Sequence, residues 1–235
     1  MKIQIFVAHP DDEIIGMGGT ILKLREQKND VRIVYLSTGI LSRRTLNYKN
    51  SSKYNNSVNK KLIKNQINEL REDALRACNI LKVKEISFYD YPDNEMDKIS
   101  LLEIIKTVES EIESFKPDVI FTHHHNDLNI DHKIVYNAVI TSCRPIRKYP
   151  KEIISFEVAS STEWNYPNKF NPNYFVEISL QLNKKIKAME EYKNEIKKFP
   201  HPRSSENLRI TAKKWGAVSG TMAAEAFEII RKIER

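Results

Sequence analysis

Four apolar runs of strand length, IQIFVA at residues 3–8, VRIVYLS at 31–37, EISFYD at 85–90 and DVIFTH at 118–123, are each followed by a longer stretch with helical spacing of its apolar residues. Short runs rich in Ile, Val, Phe and Tyr read as strands buried on both faces, and strands separated by helices lie parallel through crossover connections. The pattern predicts an α/β fold with a Rossmann-like, mostly parallel sheet flanked by helices and right-handed crossovers. The helices are expected over 14–28, 62–81, 99–115 and 131–142. Beyond Pro150 the rhythm changes: EIISFEVAS and NYFVEIS read as additional strands, and helices are expected near 179–198 and 204–216. No linker-like composition sets this part off. Residues 1–235 are therefore read as one domain, with a core over 1–145 and C-terminal additions over 146–235.

Composition narrows the class further. A chain of 235 residues, 40% hydrophobic and 29% charged, has the material for a proper core. The segment MKIQIFVAHP has one lysine and no long apolar centre, so no signal peptide is expected, and no apolar run reaches the ~20 residues of a membrane span. Cys78 and Cys143 lack metal-type spacing and are expected to be reduced. A cytoplasmic location is the default expectation. The net charge of +7 favours anionic partners. Zinc-finger spacing, an RNA-recognition signature and aromatics interleaved with basic residues are missing, which argues against nucleic acid. Much of the excess charge is spread over helices: LNKKIKAMEEYKNEIKKF reads as amphipathic, with Ile186, Met189, Tyr192 and Ile196 inward. The remaining charge suits a phosphate-bearing small molecule or a glycan. The sequence does not set the oligomeric state, and a homo-oligomer stays open.

The chemistry gathers at two strand ends. The first strand runs into HPDDE, where Asp11, Asp12 and Glu13 crowd three like charges that a cation, a proton or solvent has to relieve. The fourth runs into THHHNDLNIDHKIVYNAV. In an open parallel sheet both deliver side chains to the edge where ligands bind. A catalytic zinc site needs three histidine or carboxylate ligands and an open position. His9 and Asp12 can supply two from one tight loop limited by Pro10, and His132 the third from a first helical turn. Asp11 is then left free to handle a proton. The alternative is a plain strand-to-helix turn in which Asp11 or Asp12 caps the helix and Glu13 favours its dipole, with Asn129 or Asp131 capping the helix of His132. His123, His124 and His125 point in different directions as neighbours at a strand end, so most of that run is expected at the polar edge. GMGG at 16–19 lacks the dinucleotide-binding spacing and reads as small residues that let a helix approach the sheet. Residues 41–60, LSRRTLNYKNSSKYNNSVNK, are either a surface excursion or a lid.

AHPDDEIIGMGGTI, REDALRACNILKV and NDLNIDHKIVYNAV together resemble the PIG-L/LmbE-type zinc-dependent N-acetylglucosaminyl deacetylases, over roughly residues 1–145. SSTEWNYPNKFNPNYFVEI, HPRSSENL and AEAFEIIR are similar to a bacterial branch of that family. The resemblance implies zinc, with ferrous iron as the alternative, on His9, Asp12 and His132. It also implies Asp11 as general base, Arg71 near the substrate, and hydrolysis of the N-acetyl group of an amino sugar or its conjugate. The chain departs from the family pattern His-x-Asp-His, since it has Asn129-Ile130-Asp131-His132. An asparagine donates a hydrogen bond but cannot shuttle a proton. Either the Asn129 amide serves the developing oxyanion, or His201 of HPRS takes over, oriented by Asp131, with Arg203 holding a substrate group. HPRS also reads as a helix start capped by Ser204 or Ser205. The competing functions are a Rossmann-like protein that binds a nucleotide or sugar phosphate without metal chemistry, and a metal-retaining scaffold without turnover.

Overall fold

The computed structural model describes residues 1–40, 57–146, 148–167 and 169–234. Strands β1 (Lys2–Val7), β2 (Asp30–Ser37), β3 (Glu85–Tyr91), β4 (Val119–His123) and β5 (Glu152–Phe156) form the parallel part of a seven-stranded sheet. Its order is β3-β2-β1-β4-β5-β7-β6, where β6 (Tyr174–Glu177) and β7 (Ala224–Lys232) are the C-terminal additions. β7 runs antiparallel to both β5 and β6. The connections leave β1 and β4 in opposite directions along the sheet, so a crevice opens beyond their carboxyl ends.

Alternate side chains of β1 feed two cores. Ile3, Ile5 and Val7 pack with α1 (Asp12–Glu26), α2 (Ser57–Ile80) and α5 (Leu182–Glu191). Phe6 and Ala8 pack with α3 (Leu101–Phe115) and α4 (Ile130–Ser142) on the other face. Helix ends fall within a few residues of expectation except at two places. α2 begins at Ser57, five residues before the expected 62, so the tail of the polar 41–60 segment is helical backbone. The lid expected over 41–60 otherwise lies outside the described residues. α5 stops at Glu191 instead of continuing to 198, where Tyr192 leaves helical geometry and its hydroxyl donates to Glu13 Oε1 at 2.6 Å. Ile186, Met189 and Tyr192 are buried as expected, and Ile196 packs on the same core from beyond the helix.

β7 was not anticipated as a strand. Its Glu225 is buried, and a charged residue at an inward strand position obscures the apolar pattern. The compensation is local. α1 breaks at Met17 (φ −148°, ψ 22°), so the amides of Gly19 and Thr20 start a second helical piece and donate to the Glu225 carboxylate at 2.9 and 2.7 Å. Lys185 Nζ donates to Glu225 Oε1 at 2.6 Å and to the Ile15 carbonyl freed on the other side of the break at 2.8 Å. GMGG has the role expected of it. A Cβ on Gly16 would lie 2.3 Å from Phe156 Cδ2, and one on Gly19 2.7 Å from Ile178 Cδ1. Both cysteines are free and buried. Among the described residues no helix is long and apolar enough to cross a membrane.

Candidate metal centre and active site

The loop after β1 is held in an uncommon conformation. Asp11 has φ 111° and ψ −26°, a left-handed backbone that strains a non-glycine residue by roughly 1–3 kcal/mol. Two bonds keep it there: the Asp11 amide donates to Glu13 Oε2 at 3.1 Å, and the His9 amide to Asp12 Oδ2 at 2.8 Å. Asp11 stands at the N-cap position of α1, yet its side chain makes no capping bond. The simple helix-cap reading of HPDDE therefore leaves the Asp11 carboxylate unexplained.

His9 Nδ1, Asp12 Oδ2 and His132 Nε2 form a nearly equilateral triangle, with separations of 3.4, 3.3 and 3.3 Å. Ligand bonds of ~2.0–2.2 Å in a tetrahedral zinc site place donor atoms ~3.3–3.6 Å apart. Asp12 Oδ1 is buried without a hydrogen-bond partner. The donor set therefore fits a divalent cation in size and type, and the Asp12 carboxylate keeps its other oxygen unsatisfied. The electrostatics agree. Burial opposes charge on His9 and His132, but Asp12, Asp131 and Asp93 hold His9 well above its ordinary range, and Asp12 and Asp127 raise His132 to about 9. Burial likewise pushes Asp12 up, but His132, His9 and His123 outweigh it and hold the carboxylate well below its usual value. Positive charge belongs at this point, carried by a proton or by an ion.

Each histidine is braced by carboxylates on its far nitrogen. His9 Nε2 lies 3.0 Å from both Asp93 and Asp131, and His132 Nδ1 lies 3.2 Å from Asp127. Such partners fix the tautomer and aim the other lone pair at the metal position. Asp131 also accepts from the amides of Asn94 and Met96 at 2.6 and 3.2 Å. Asp127 accepts from Thr162 Oγ1 at 2.6 Å, from the Asn129 amide at 2.8 Å, and from the Ser161 hydroxyl. His123 is a neutral plate. Its Nε2 accepts from the Ala8 amide at 2.8 Å, burial followed by His132 pushes it down to about 3, and its ring stacks on His132 at 3.9 Å.

Asp11 lies beside this triangle and is 1% exposed. Burial raises its carboxyl to about 7, against the pull of Arg203, whose Nη1 donates to Asp11 Oδ2 at 2.9 Å. Arg203 also donates to Glu195 at 3.1 Å and to Ser160 Oγ at 2.8 Å. These groups border a cleft of about 80 Å³ lined by His9, Asp11, Asp93, Asn94, Asn129 and Arg203 among others. A larger cavity, about 270 Å³ between Trp164 and Trp215, touches none of the metal-binding candidates.

A family described as PIG-L, GlcNAc-PI de-N-acetylase, matches residues 4–143, which include every member of the triangle. The chain belongs to the PIG-L family. It is 24% identical over 237 residues to a diacetylchitobiose deacetylase of Thermococcus kodakarensis, covering 97% of this chain and 83% of that one. Among solved structures, an N,N'-diacetylchitobiose deacetylase from Pyrococcus horikoshii aligns with a TM-score of 0.75 at 22% identity, over 97% of this chain and 83% of the other. GalB, a 4-carboxy-2-hydroxymuconate hydratase from Pseudomonas putida KT2440, aligns with a TM-score of 0.74 at 17% identity, over 100% and 98%. One fold thus carries both amide hydrolysis and hydration, so activity has to be argued from the site.

For this PIG-L chain the structure brings together His9, Asp12, His132, Asp11, Asp131, Asn129 and Arg203. It does not bring His201 to Asp131: that carboxylate is already taken up by His9 and two backbone amides, while His201 Nδ1 accepts from the Arg203 amide at 3.1 Å. Ser204 caps α6 (Ser205–Ser219) by accepting from the Asn207 amide, the helix-start reading of HPRS. Asn129 caps α4 and lines the cleft as well. Arg71 stands outside the cleft lining, bonded to the Tyr89 carbonyl at 3.0 Å and to Asp90 at 2.7 Å. Sequence reasoning missed Asp93 and Asp127. Both sit in short loops after strands, and their only signal is a carboxylate at the carboxyl edge of a parallel sheet.

Proposed function

We propose that this chain is a metal-dependent N-deacetylase acting on an N-acetylated amino sugar or its conjugate, with zinc or ferrous iron held by His9, Asp12 and His132. The observation that carries the reading is the three-donor triangle with a strained, buried, unligated carboxylate beside it. A divalent ion at that point supplies a water ionisable near pH ~7 instead of ~15.7, and a Lewis acid for the acetyl carbonyl. Asp11 takes a proton from the attacking water and delivers it to the departing amine, so that the C–N bond breaks to give acetate and a free amine. Burial raises the Asp11 carboxyl to about 7 in the metal-free site, and a bound cation would draw it down towards the ionised form that a general base needs. Arg203 holds that carboxylate in place and limits its protonation. The Asn129 side-chain amide donates to Asn94 Oδ1 at 3.1 Å and carries a second hydrogen that can serve the oxyanion.

The lining favours an uncharged group at the reacting end. Asp93 and Glu195 border the cleft, and the guanidinium of Arg203 is already paired with Asp11 and Glu195. A cleft of about 80 Å³ takes the acetamido group while the rest of the sugar extends outward. The test combines metal analysis with acetate release from a panel of N-acetyl sugars that includes diacetylchitobiose. Wild type is expected to hold metal at the triangle and turn over at least one of them. Asp11→Asn should keep the metal and lose ~10²–10⁴ in kcat. If Asp11→Asn lost the metal while Asp12→Asn kept it, the two carboxylates would exchange roles. A chain that binds no metal would instead be a sugar-phosphate or nucleotide binder.

A further inference from the structure

The histidine run at the end of β4 is only partly absorbed by the centre just described. His123 serves it, while His124 and His125 lie elsewhere. His124 is 1% exposed, and neither of its ring nitrogens has a hydrogen-bond partner. Glu228, on β7, brings Oε2 to 3.1 Å from His124 Nδ1, yet that oxygen makes no hydrogen bond either. Two groups this close but off the line of a hydrogen bond direct their lone pairs past each other. The exposed ring of His125 stands 4.3 Å from that of His124, and donor atoms of all three residues lie within 4.8 Å of one another. A buried polar side chain without partners calls for an explanation, and an ion is one that fits two imidazoles and a carboxylate.

We propose that His124, His125 and Glu228 form a second site for a divalent transition metal, separate from the centre at His9, Asp12 and His132. The ligand type suits zinc, copper or nickel better than magnesium or calcium, which prefer oxygen. Three protein donors with one solvent-facing member leave room for water or an external ligand. Phe170 closes the buried side, with its ring edge-on to His124 at 5.2 Å, and Tyr136 packs beside His125 at 5.7 Å. Burial, followed by His125, pulls His124 below the ordinary imidazole range, and a neutral ring offers one nitrogen lone pair to an ion. The site is tied to the first one through the backbone: the Asp127 amide donates to the His124 carbonyl at 3.3 Å, and Asp127 holds His132.

The test is zinc stoichiometry on the untagged full chain, stripped with chelator, reloaded with zinc and dialysed. One zinc equivalent is expected to vanish in His125→Ala and in Glu228→Gln and to survive Asp12→Ala; the double variant Asp12→Ala/Glu228→Gln should hold none. His125 is exposed and Glu228→Gln is nearly isosteric, so both variants, stripped of metal, should unfold at the temperature of metal-stripped wild type. Retention of every zinc equivalent in either His125→Ala or Glu228→Gln overturns the proposal. A loss confined to Asp12→Ala would leave the first centre standing and end the second. The reverse pattern would do the opposite.

Discussion

Replacing Asp127 with asparagine changes one atom and sets it against three hydrogen-bond donors and the ring of His132. The two carboxylate oxygens receive Thr162 Oγ1, Ser161 Oγ, the Asn129 amide and the Nδ1 edge of His132. Thr162 Oγ1 itself accepts from the Val158 amide at 2.8 Å, so its proton is committed to Asp127. An amide nitrogen in either orientation meets two of these donors head-on. The His132 brace is an ion-pair contact, Nδ1 at 3.2 Å from Asp127 Oδ2 without a hydrogen bond. The loss of a partner that orients a metal-binding histidine typically costs ~10–100-fold in metal affinity, or ~1.4–2.7 kcal/mol. Asp127→Asn should therefore weaken zinc binding by about that factor while the fold survives. Competition against a chelator of known affinity measures it, with thermal unfolding as the control. Zinc affinity within twofold of wild type, together with a lowered Tm, would make Asp127 a loop-stabilising carboxylate and refute the bracing argument.

Arg203→Met should move the acidic limb of the pH–rate profile to higher pH by ~1–3 units, because a neighbouring arginine depresses a carboxyl by that much. The sign is fixed: the base works when ionised, so activity at neutral pH falls and returns as pH rises. A bound cation lowers Asp11 in both proteins, leaving the difference to be read, and an unmoved limb with a raised KM would make Arg203 a substrate contact. Asn129→Ala should cost ~10²–10³ in kcat if its amide serves the oxyanion, with His201→Ala the milder change. The opposite ranking would return the role to His201. Gly16→Ala should destabilise by ~1–3 kcal/mol in denaturant titration, since its methyl would overlap Phe156. An unchanged midpoint would mean that the sheet yields there.

The parallel half of the sheet was legible because each strand is a short apolar run and each crossover an amphipathic helix. The candidate ligand cluster was legible for a related reason, since strands β1 and β4 end in polar clusters and parallel topology carries both to one edge. Legibility failed where burial is obtained by pairing. Glu225 hides β7 from an apolar pattern because its partners, Lys185 and the amides of a broken helix, are far away in sequence. Asp93 and Asp127 escaped because a carboxylate that braces a ligand looks like any loop aspartate until its histidine is in place. The expected pairing of His201 with Asp131 came from a gap in the motif, and only coordinates reveal that Asp131 is already engaged.

The break in α1 carries a consequence for how the protein is made. The loop at Asp11 rides on the first piece of that helix, yet the two sides of the break are held by Lys185 and Glu225, and Asp11 itself by Arg203. The Gly19–Glu225 contact spans 206 positions of sequence. A chain growing from its N-terminus therefore presents Asp11 and the broken helix long before Lys185, Arg203 and Glu225 exist, and contacts of such separation form late. The last strand of the sheet thereby decides when the helix that carries the first loop is complete.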